Sequence, residues 1–289
     1  MSEKSPPADI PGPILHALRC PLCGQQLEQD AARLHCPSGH SFDRAKQGHI
    51  TLRRGGPTPK NADTPAMVAA REALLDTSLY EPIKDQLSAA VAAQLDAVRA
   101  PLVADLGGGT GYYLAGVLDR LPNAHGVCID LSAAALKRAA RCHLRAAAIG
   151  SNLLADPLPL ATGSVAVATS IFGPRNVPEI QRVLGTGGLL VVATPTKEHL
   201  AELVEPLGML QVDQRKDERL AASLTAFTQI AAEHLTYRVP VSSEQAGALV
   251  RMGPSAHHIT ADDLDARLRH LPDDLTITVS VNLGLYTMR

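Results

Sequence analysis

The sequence predicts an α/β fold, Rossmann-like and built on a mostly parallel sheet, preceded by a small cysteine–histidine module. Three observations carry this. Residues 101–111, PLVADLGGGTG, are an apolar run leading into a glycine-rich turn. Asp130 lies nineteen residues after Gly111 and closes a second apolar run, GVCID. Residues 19–40, RCPLCGQQLEQDAARLHCPSGH, hold two close pairs of metal-type ligands.

A turn without side chains lets a ligand lie against the backbone, and an acid at the tip of the next strand can accept both hydroxyls of a ribose. The glycine spacing bears on which ligand. Gly107, Gly109 and Gly111 fit G-x-G-x-G, which lacks the third glycine position of the dinucleotide G-x-G-x-x-G, and Asp105 precedes the loop. This combination resembles motif I of class I S-adenosylmethionine-dependent methyltransferases, whose loop faces a methionine moiety instead of a pyrophosphate. The resemblance implies that Asp105, Gly107, Gly109 and Gly111 shape the loop and that Thr110 donates to the cofactor carboxylate. It implies further that Asp130 binds the ribose and Leu131 packs on the adenine. The plain alternative for Asp130 is a helix N-cap, a task that Ser132 is placed to do.

With 289 residues the chain has room for one large α/β domain and a small module. Aromatic residues are 3% and Trp is absent, so Leu, Val and Ala must fill the core. A net charge of −2 gives no argument for nucleic-acid binding from bulk charge and leaves that to a local basic patch. No apolar run approaches the roughly 18 residues of a membrane span. The opening MSEKSPPADIPG lacks the apolar stretch of a signal peptide and reads as a loose tail. The expectation is a cytoplasmic chain with no membrane partner, in which the five cysteines are not a disulfide framework.

Cys20 and Cys23 have the two-residue spacing of a zinc knuckle, and Cys36 and His40 form a second pair in C-P-S-G-H. Four such ligands suit tetrahedral zinc, and a site with all four positions filled is structural rather than catalytic. An unmetallated cluster or a redox pair is the alternative. His35 is adjacent to Cys36, where its geometry is poorer, so His40 is taken as the fourth ligand. A module this small needs the metal for stability. Behind it, Arg44, Lys46, His49, Arg53 and Arg54 supply local basic density suited to RNA phosphates, against the alternative of an ordinary solvated linker. Cys128, inside an apolar run, reads as a small buried hydrophobe; Cys142 is given no role.

Gly55–Pro65 is a Gly/Pro/Asn-rich joint, after which Asp63 or Thr64 caps a helix opened by Pro65, and a second helix carries Ile83, Leu87, Val91 and Leu95. Strands and helices then alternate: strand 101–106, helix 112–121, strand 125–129, helix 132–142, a short strand at AAAIG, strand 165–171, helix 177–184 and strand LLVVAT. EHLTYRVPVS and LTITVSVNLGLYTM form an antiparallel closing pair around a helical insert. The resulting division is a tail over 1–15, a zinc-binding RNA-recognition module over 16–54, linker and helices over 55–100 and a methyltransferase domain over 101–289.

The order of these features resembles the RlmA/TlrB family of 23S rRNA guanine-N1 methyltransferases over nearly the whole chain. It rests on C-x-x-C…C-x-x-x-H followed by HSFDRAKQGHITL, then ADTPAMVAAREALLD, DLGGGTG, IFGPRNVPEIQRVL, ATPTKEHLAEL and MGPSAHH. MVAAREALLD, FGPRN and MGPS are closer to the TlrB branch, associated with resistance to tylosin-type macrolides. The resemblance implies S-adenosylmethionine and structural zinc as cofactors. The substrate it implies is a guanine in a 23S rRNA stem-loop lining the peptide exit tunnel, and it allows a homodimer. Arg71 is a candidate for cofactor or RNA contact, and Asn152 and Leu153 for the adenine edge. Ion pairing is the plain alternative for Arg71, and a turn role for Asn152. Phe172, Arg175, Asn176 and His199 are substrate-side candidates: Phe172 to stack on an extruded guanine, His199 as a helical residue of catalytic or merely structural role. His257 and His258 enter by resemblance alone, and no general base is named. Two rivals stand beside this reading: a small-molecule methyltransferase with a structural zinc cap, and a non-catalytic RNA-binding zinc protein.

Overall fold

The apolar runs of the chain become one eight-stranded sheet in a computed structural model that describes residues 9–30, 32–56, 62–95, 100–211 and 216–289. The N-terminal part holds α1 (Gly12–Ala17), then β1 (Glu28–Asp30), β2 (Arg33–His35) and β3 (Ser41–Asp43), and ends in β4 (Ile50–Thr51). Helices α2 (Pro65–Leu75) and α3 (Glu81–Leu95) follow. The alternating region comprises β5 (Leu102–Leu106), α4 (Tyr112–Arg120), β6 (His125–Asp130), α5 (Ala133–Ala139), β7 (Ala146–Gly150), β8 (Val165–Ile171), α6 (Val177–Val183) and β9 (Leu184–Pro195). The rest comprises α7 (Ala201–Leu207), α8 (Lys216–Ser223), β10 (Phe227–Pro240), α9 (Ser243–Arg251), a 3-10 turn (Pro254–His257), α10 (Ala261–Leu268) and β11 (Thr276–Met288).

The strand order is β10-β11-β9-β8-β5-β6-β7-β4. All pairings from β9 to β4 are parallel, while β11 is antiparallel to both β9 and β10. Strand β5 is buried at every position and β8 at nearly all, as expected where helices cover both faces. From β5 the chain winds outward through β6 and β7, then returns to β8 on the other side. The order therefore reverses between β5 and β8, and the crevice beyond their C-terminal ends is where a ligand binds in such sheets.

Local chemistry sets the helix starts at that end. Thr64, not Asp63, caps α2, its hydroxyl accepting from the Met67 N–H at 3.2 Å with Pro65 at the first helical position. Ser132 caps α5 by accepting from the Ala135 N–H at 3.3 Å, which leaves Asp130 to other work.

β1, β2 and β3 form a separate antiparallel sheet, but the ribbon does not stand apart from the core. Ile50 and Thr51 pair with Ile149 and Gly150 as the edge strand of the large sheet. Leu18, Leu27 and Leu34 share one apolar cluster with Leu106, Ile149 and Leu160. The loose tail expected over 1–15 is corrected for residues 9–15: Ile10 and Ile14 are buried in that cluster and α1 begins at Gly12. Residues 1–8 and the joint residues 57–61 lie outside the described residues.

Candidate functional site

The glycine turn leaves β5 at the reversal point, with Gly107, Gly109 and Gly111 all at positive φ. Gly108 is required by close approach, because a Cβ there would fall 2.5 Å from Asp105 Oδ2 and 2.8 Å from Cys128 Sγ. Gly111 is required twice over: its φ is +81°, and a Cβ would meet Cys142 Sγ at 2.6 Å. Cys128 is fully buried, as the sequence suggested, and Cys142 proves to be the floor under Gly111.

Two carboxylates hold this turn. Asp130 accepts from the Gly109 N–H at 2.9 Å and the Ser132 N–H at 2.8 Å, and burial raises its pKa against those bonds. Asp105 lies beneath the loop, 1% exposed, with Thr169 Oγ1 donating to its Oδ1 at 2.7 Å. Its other oxygen has no hydrogen-bond partner, and burial pushes its pKa up to about 6. A cradle that side chains would fill and an acid at the tip of β6, with Asp105 supporting the turn from below, fit a nucleoside cofactor such as S-adenosylmethionine.

Around the loop, Leu153 Cδ1 and Pro174 Cδ come within 3.8 Å and 3.5 Å of where a Gly107 Cβ would be. Arg71 lies over Gly109, pairs with the Asp63 carboxylate and donates to the Met252 carbonyl at 2.8 Å. Leu131 is half-buried in the bend between β6 and α5. A cavity of about 700 Å³ lies behind the loop, lined by Thr110, Tyr112, Lys137 and Cys142. Asp130 is not among its walls, so it is distinct from the face where the two carboxylates meet the glycines.

Beyond β8 the chain presents an aromatic group. Phe172 is 40% exposed and holds φ +56°, strained for a residue with a side chain. Its ring lies 5.9 Å from that of His199 at an interplanar angle of 27°, and 6.4 Å and 6.5 Å from those of Tyr80 and Tyr113. His199 also stacks on Tyr80, at 6.1 Å and 16°. The Ser280 N–H donates to His199 Nδ1 at 3.2 Å, so the neutral ring carries its proton on Nε2, which lies 3.5 Å from the Tyr80 hydroxyl. Burial pushes the Tyr80 phenol well up, so it stays protonated at neutral pH.

In the ribbon, the ligand atoms of Cys20, Cys23, Cys36 and His40 all lie within 4.8 Å of one another. Cys23 Sγ is 3.5 Å from Cys36 Sγ, and His40 Nδ1 is 3.5 Å from Cys20 Sγ and 3.4 Å from Cys36 Sγ. Tetrahedral zinc with arms of about 2.3 Å to sulfur and about 2.0 Å to nitrogen demands edges of about 3.5–3.8 Å. The four groups therefore fit a closed structural zinc site. Gly24 and Gly39 donate their N–H groups to the Cys20 and Cys36 carbonyls at 2.8 Å and 2.9 Å, closing the two knuckles. The Gln25 backbone N–H lowers the Cys23 thiol to about 6, toward the thiolate that metal needs. His35 turns away to Glu28, 3.7 Å distant.

The chain's relatives can now be set beside this geometry. Residues 18–53 match the family model of the RlmA N-terminal zinc ribbon. The chain is 42% identical, over 93% of its length and 95% of the relative's, to the 23S rRNA (guanine(748)-N(1))-methyltransferase of Streptomyces fradiae. A protein of Micromonospora griseorubida named for guanine-N1 methylation of 23S rRNA is 44% identical over 94% of this chain and 98% of its own. The chain belongs to the 23S rRNA (guanine-N1)-methyltransferase family. It is an S-adenosylmethionine-dependent enzyme with a zinc ribbon.

Several residues singled out in the sequence also have local structural partners. Asn176 caps α6, accepting from the Glu179 N–H at 3.4 Å. Asn152 accepts from the Leu154 N–H at 3.2 Å, a turn-forming bond. Arg175 folds back on the Gly173 carbonyl at 3.1 Å. His199 is not on a helix but in the turn before α7. His258 is exposed, and the side chain of His257 lies outside the described residues. The basic segment is partly internal: His49 is 7% exposed, Arg44 donates to the Gly48 carbonyl at 3.0 Å and Arg54 to that of Pro21 at 3.1 Å, while Lys46 is exposed. Sequence reasoning missed Tyr80, Tyr113, Asp63 as the partner of Arg71, and Thr169. For Tyr113 a signal was present: in a chain of five tyrosines, two stand in succession directly after the glycine loop.

Proposed function

We propose that this chain methylates N1 of a guanine in 23S rRNA, and that the first candidate is guanine 748, the position in the name of the Streptomyces fradiae relative. The observation that carries the reading is the half-exposed Phe172, strained and stacked on His199, at the mouth of an intact glycine turn. A base drawn out of its stack needs such a platform.

When bound, S-adenosylmethionine supplies a methyl group activated by its sulfonium charge. Asp130 would receive the ribose, and the glycine turn would hold the methionine portion. Phe172 would stack on the guanine and hold N1 in line with the methyl group, whose transfer would form the N1–C bond as the S–C bond breaks. Guanine N1 carries a proton near neutral pH, and that proton passes to solvent water. His199, with Nδ1 already accepting from Ser280, is suited to donate from Nε2 to the guanine O6 and favour the N1-deprotonated form, rather than to take the proton itself. The ribbon holds zinc through Cys20, Cys23, Cys36 and His40, and with Lys46 and Arg54 grips the RNA stem. The homodimer and the protection from tylosin-type macrolides are part of this proposal through the family resemblance. Sedimentation of the RNA complex and drug susceptibility of an expressing host read them.

The test is transfer of labelled methyl to unmodified 23S rRNA by the wild type, His199→Gln and His199→Phe. His199→Gln, which keeps an N–H donor, is expected to retain more than a tenth of kcat with an unaltered pH profile, while His199→Phe loses on the order of 10²-fold. Equal loss in both variants would contradict the donor role. Label that stays out of RNA while cofactor binds would favour a small-molecule substrate.

A further inference from the structure

Arg71 is the guanidinium that lies against the glycine turn, its Nη1 3.3 Å from where a Cβ on Gly109 would stand. One arm donates to the Met252 carbonyl at 2.8 Å. The other is taken by the Asp63 carboxylate, in an ion pair whose side chains are 25% and 23% exposed. S-adenosylmethionine carries a single carboxylate; its other charges, ammonium and sulfonium, are positive, and its ribose and adenine are neutral. A guanidinium at this loop has one partner to seek in the cofactor, and in the free protein that partner's place is held.

We infer that Asp63 is an internal surrogate for the cofactor carboxylate, occupying Arg71 until S-adenosylmethionine displaces it. The inference rests on the cofactor assignment above and adds a competitor to it. The exchange is one carboxylate for another on the same planar fork, so charge balance in the half-buried site is kept throughout. Arg71 is spared the cost of an unpaired charge, and cofactor affinity is lowered by whatever the Asp63 pair is worth. The Asp63 main chain is anchored separately, its carbonyl accepting from Ser132 Oγ at 2.7 Å. Freeing the carboxylate therefore does not require the backbone beside Asp130 to move, and a side-chain substitution leaves that anchor in place.

The test is calorimetric titration of the full-length, zinc-loaded chain with S-adenosylhomocysteine and, separately, with 5′-methylthioadenosine. The second probe keeps the nucleoside and thioether and lacks the amino-acid carboxylate. Asp63→Asn and Asp63→Ala are expected to tighten S-adenosylhomocysteine about fivefold, the upper range of such an ion pair, and to leave 5′-methylthioadenosine within about 1.5-fold. Arg71→Ala is expected to weaken the first probe and spare the second. Unchanged or weaker S-adenosylhomocysteine binding in both Asp63 variants overturns the inference, as does equal tightening of both probes. A wild type that binds neither probe overturns the cofactor assignment itself, a result that cannot be mistaken for the others.

Discussion

Replacing Asp105 by Asn should remove a loss of stability that grows as pH rises. The carboxyl lies sealed beneath the glycine turn, and burial raises its pKa from 3.8 to about 6, against the opposing bond from Thr169. Because the folded pKa lies above the unfolded one, the native state holds the proton more tightly. The group costs nothing below about pH 4, and stability falls as pH rises from there through about 6. A rise from 3.8 to about 6 is worth about 3 kcal/mol at pH 7 and above, of which about half develops between pH 5 and pH 8. Asn keeps an acceptor for the Thr169 hydroxyl and has no charge to bury. Its amide nitrogen, placed where Oδ2 has no partner, adds an offset independent of pH, so the slope is the readout. Urea unfolding of both zinc-loaded proteins from pH 5 to pH 8 should show the variant gaining about 1 kcal/mol on the wild type across that range. Parallel stability curves would refute the reasoning, because they would mean that Asp105 ionises in the fold as readily as outside it.

Other consequences follow from the same contacts. Gly111→Ala should cost about 2–4 kcal/mol from left-handed strain and the clash with Cys142; adding Cys142→Ala should restore only the share due to Sγ, because the Cβ at position 142 still stands 2.8 Å away, read by thermal unfolding. Asp130→Ala should weaken S-adenosylhomocysteine binding at least tenfold, since it removes both the ribose acceptor and the bond to the Gly109 N–H, while binding of an RNA stem-loop stays within about threefold by filter assay. Zinc chelation or Cys20→Ala should do the reverse for RNA and also lower the melting temperature, because Cys20 and Cys36 are buried in the cluster that contains Ile149 and Leu160. Intact melting behaviour after chelation would show that the ribbon's packing on the sheet does not depend on the metal.

What the sequence disclosed follows from which signals are local. The turn Gly107–Gly111, Asp105 and Asp130 were legible because a tight turn and an acid at a fixed distance are written in consecutive residues. The four zinc ligands were legible for the same reason. β8 was visible as VAVATSI because a strand buried on both faces needs an unbroken apolar run. Strand β4 was not, since two residues have no periodicity and the pairing of Ile50 with Ile149 is a tertiary fact. Helix α1 was hidden by the polar, proline-rich stretch around it, and its burial depends on Ile10 and Ile14 finding the ribbon core. The aromatic group gathers Tyr80, Tyr113, Phe172 and His199 from four separated segments, so only the fold brings it together. For Asn176 and Asn152 the sequence left two roles open for a general reason. Short amides near loop ends are as good at capping and turning backbone as at reading a ligand, and nothing local separates the two roles.

The most direct test of the central claim is primer extension on unmodified 23S rRNA after incubation with the zinc-loaded protein and S-adenosylmethionine. Methylation at N1 blocks Watson–Crick pairing and halts the polymerase. The account predicts one new stop, at a single guanine, lost with Asp130→Ala and with zinc removal. An RNA without a new stop, under conditions where the cofactor is shown to bind, would contradict it.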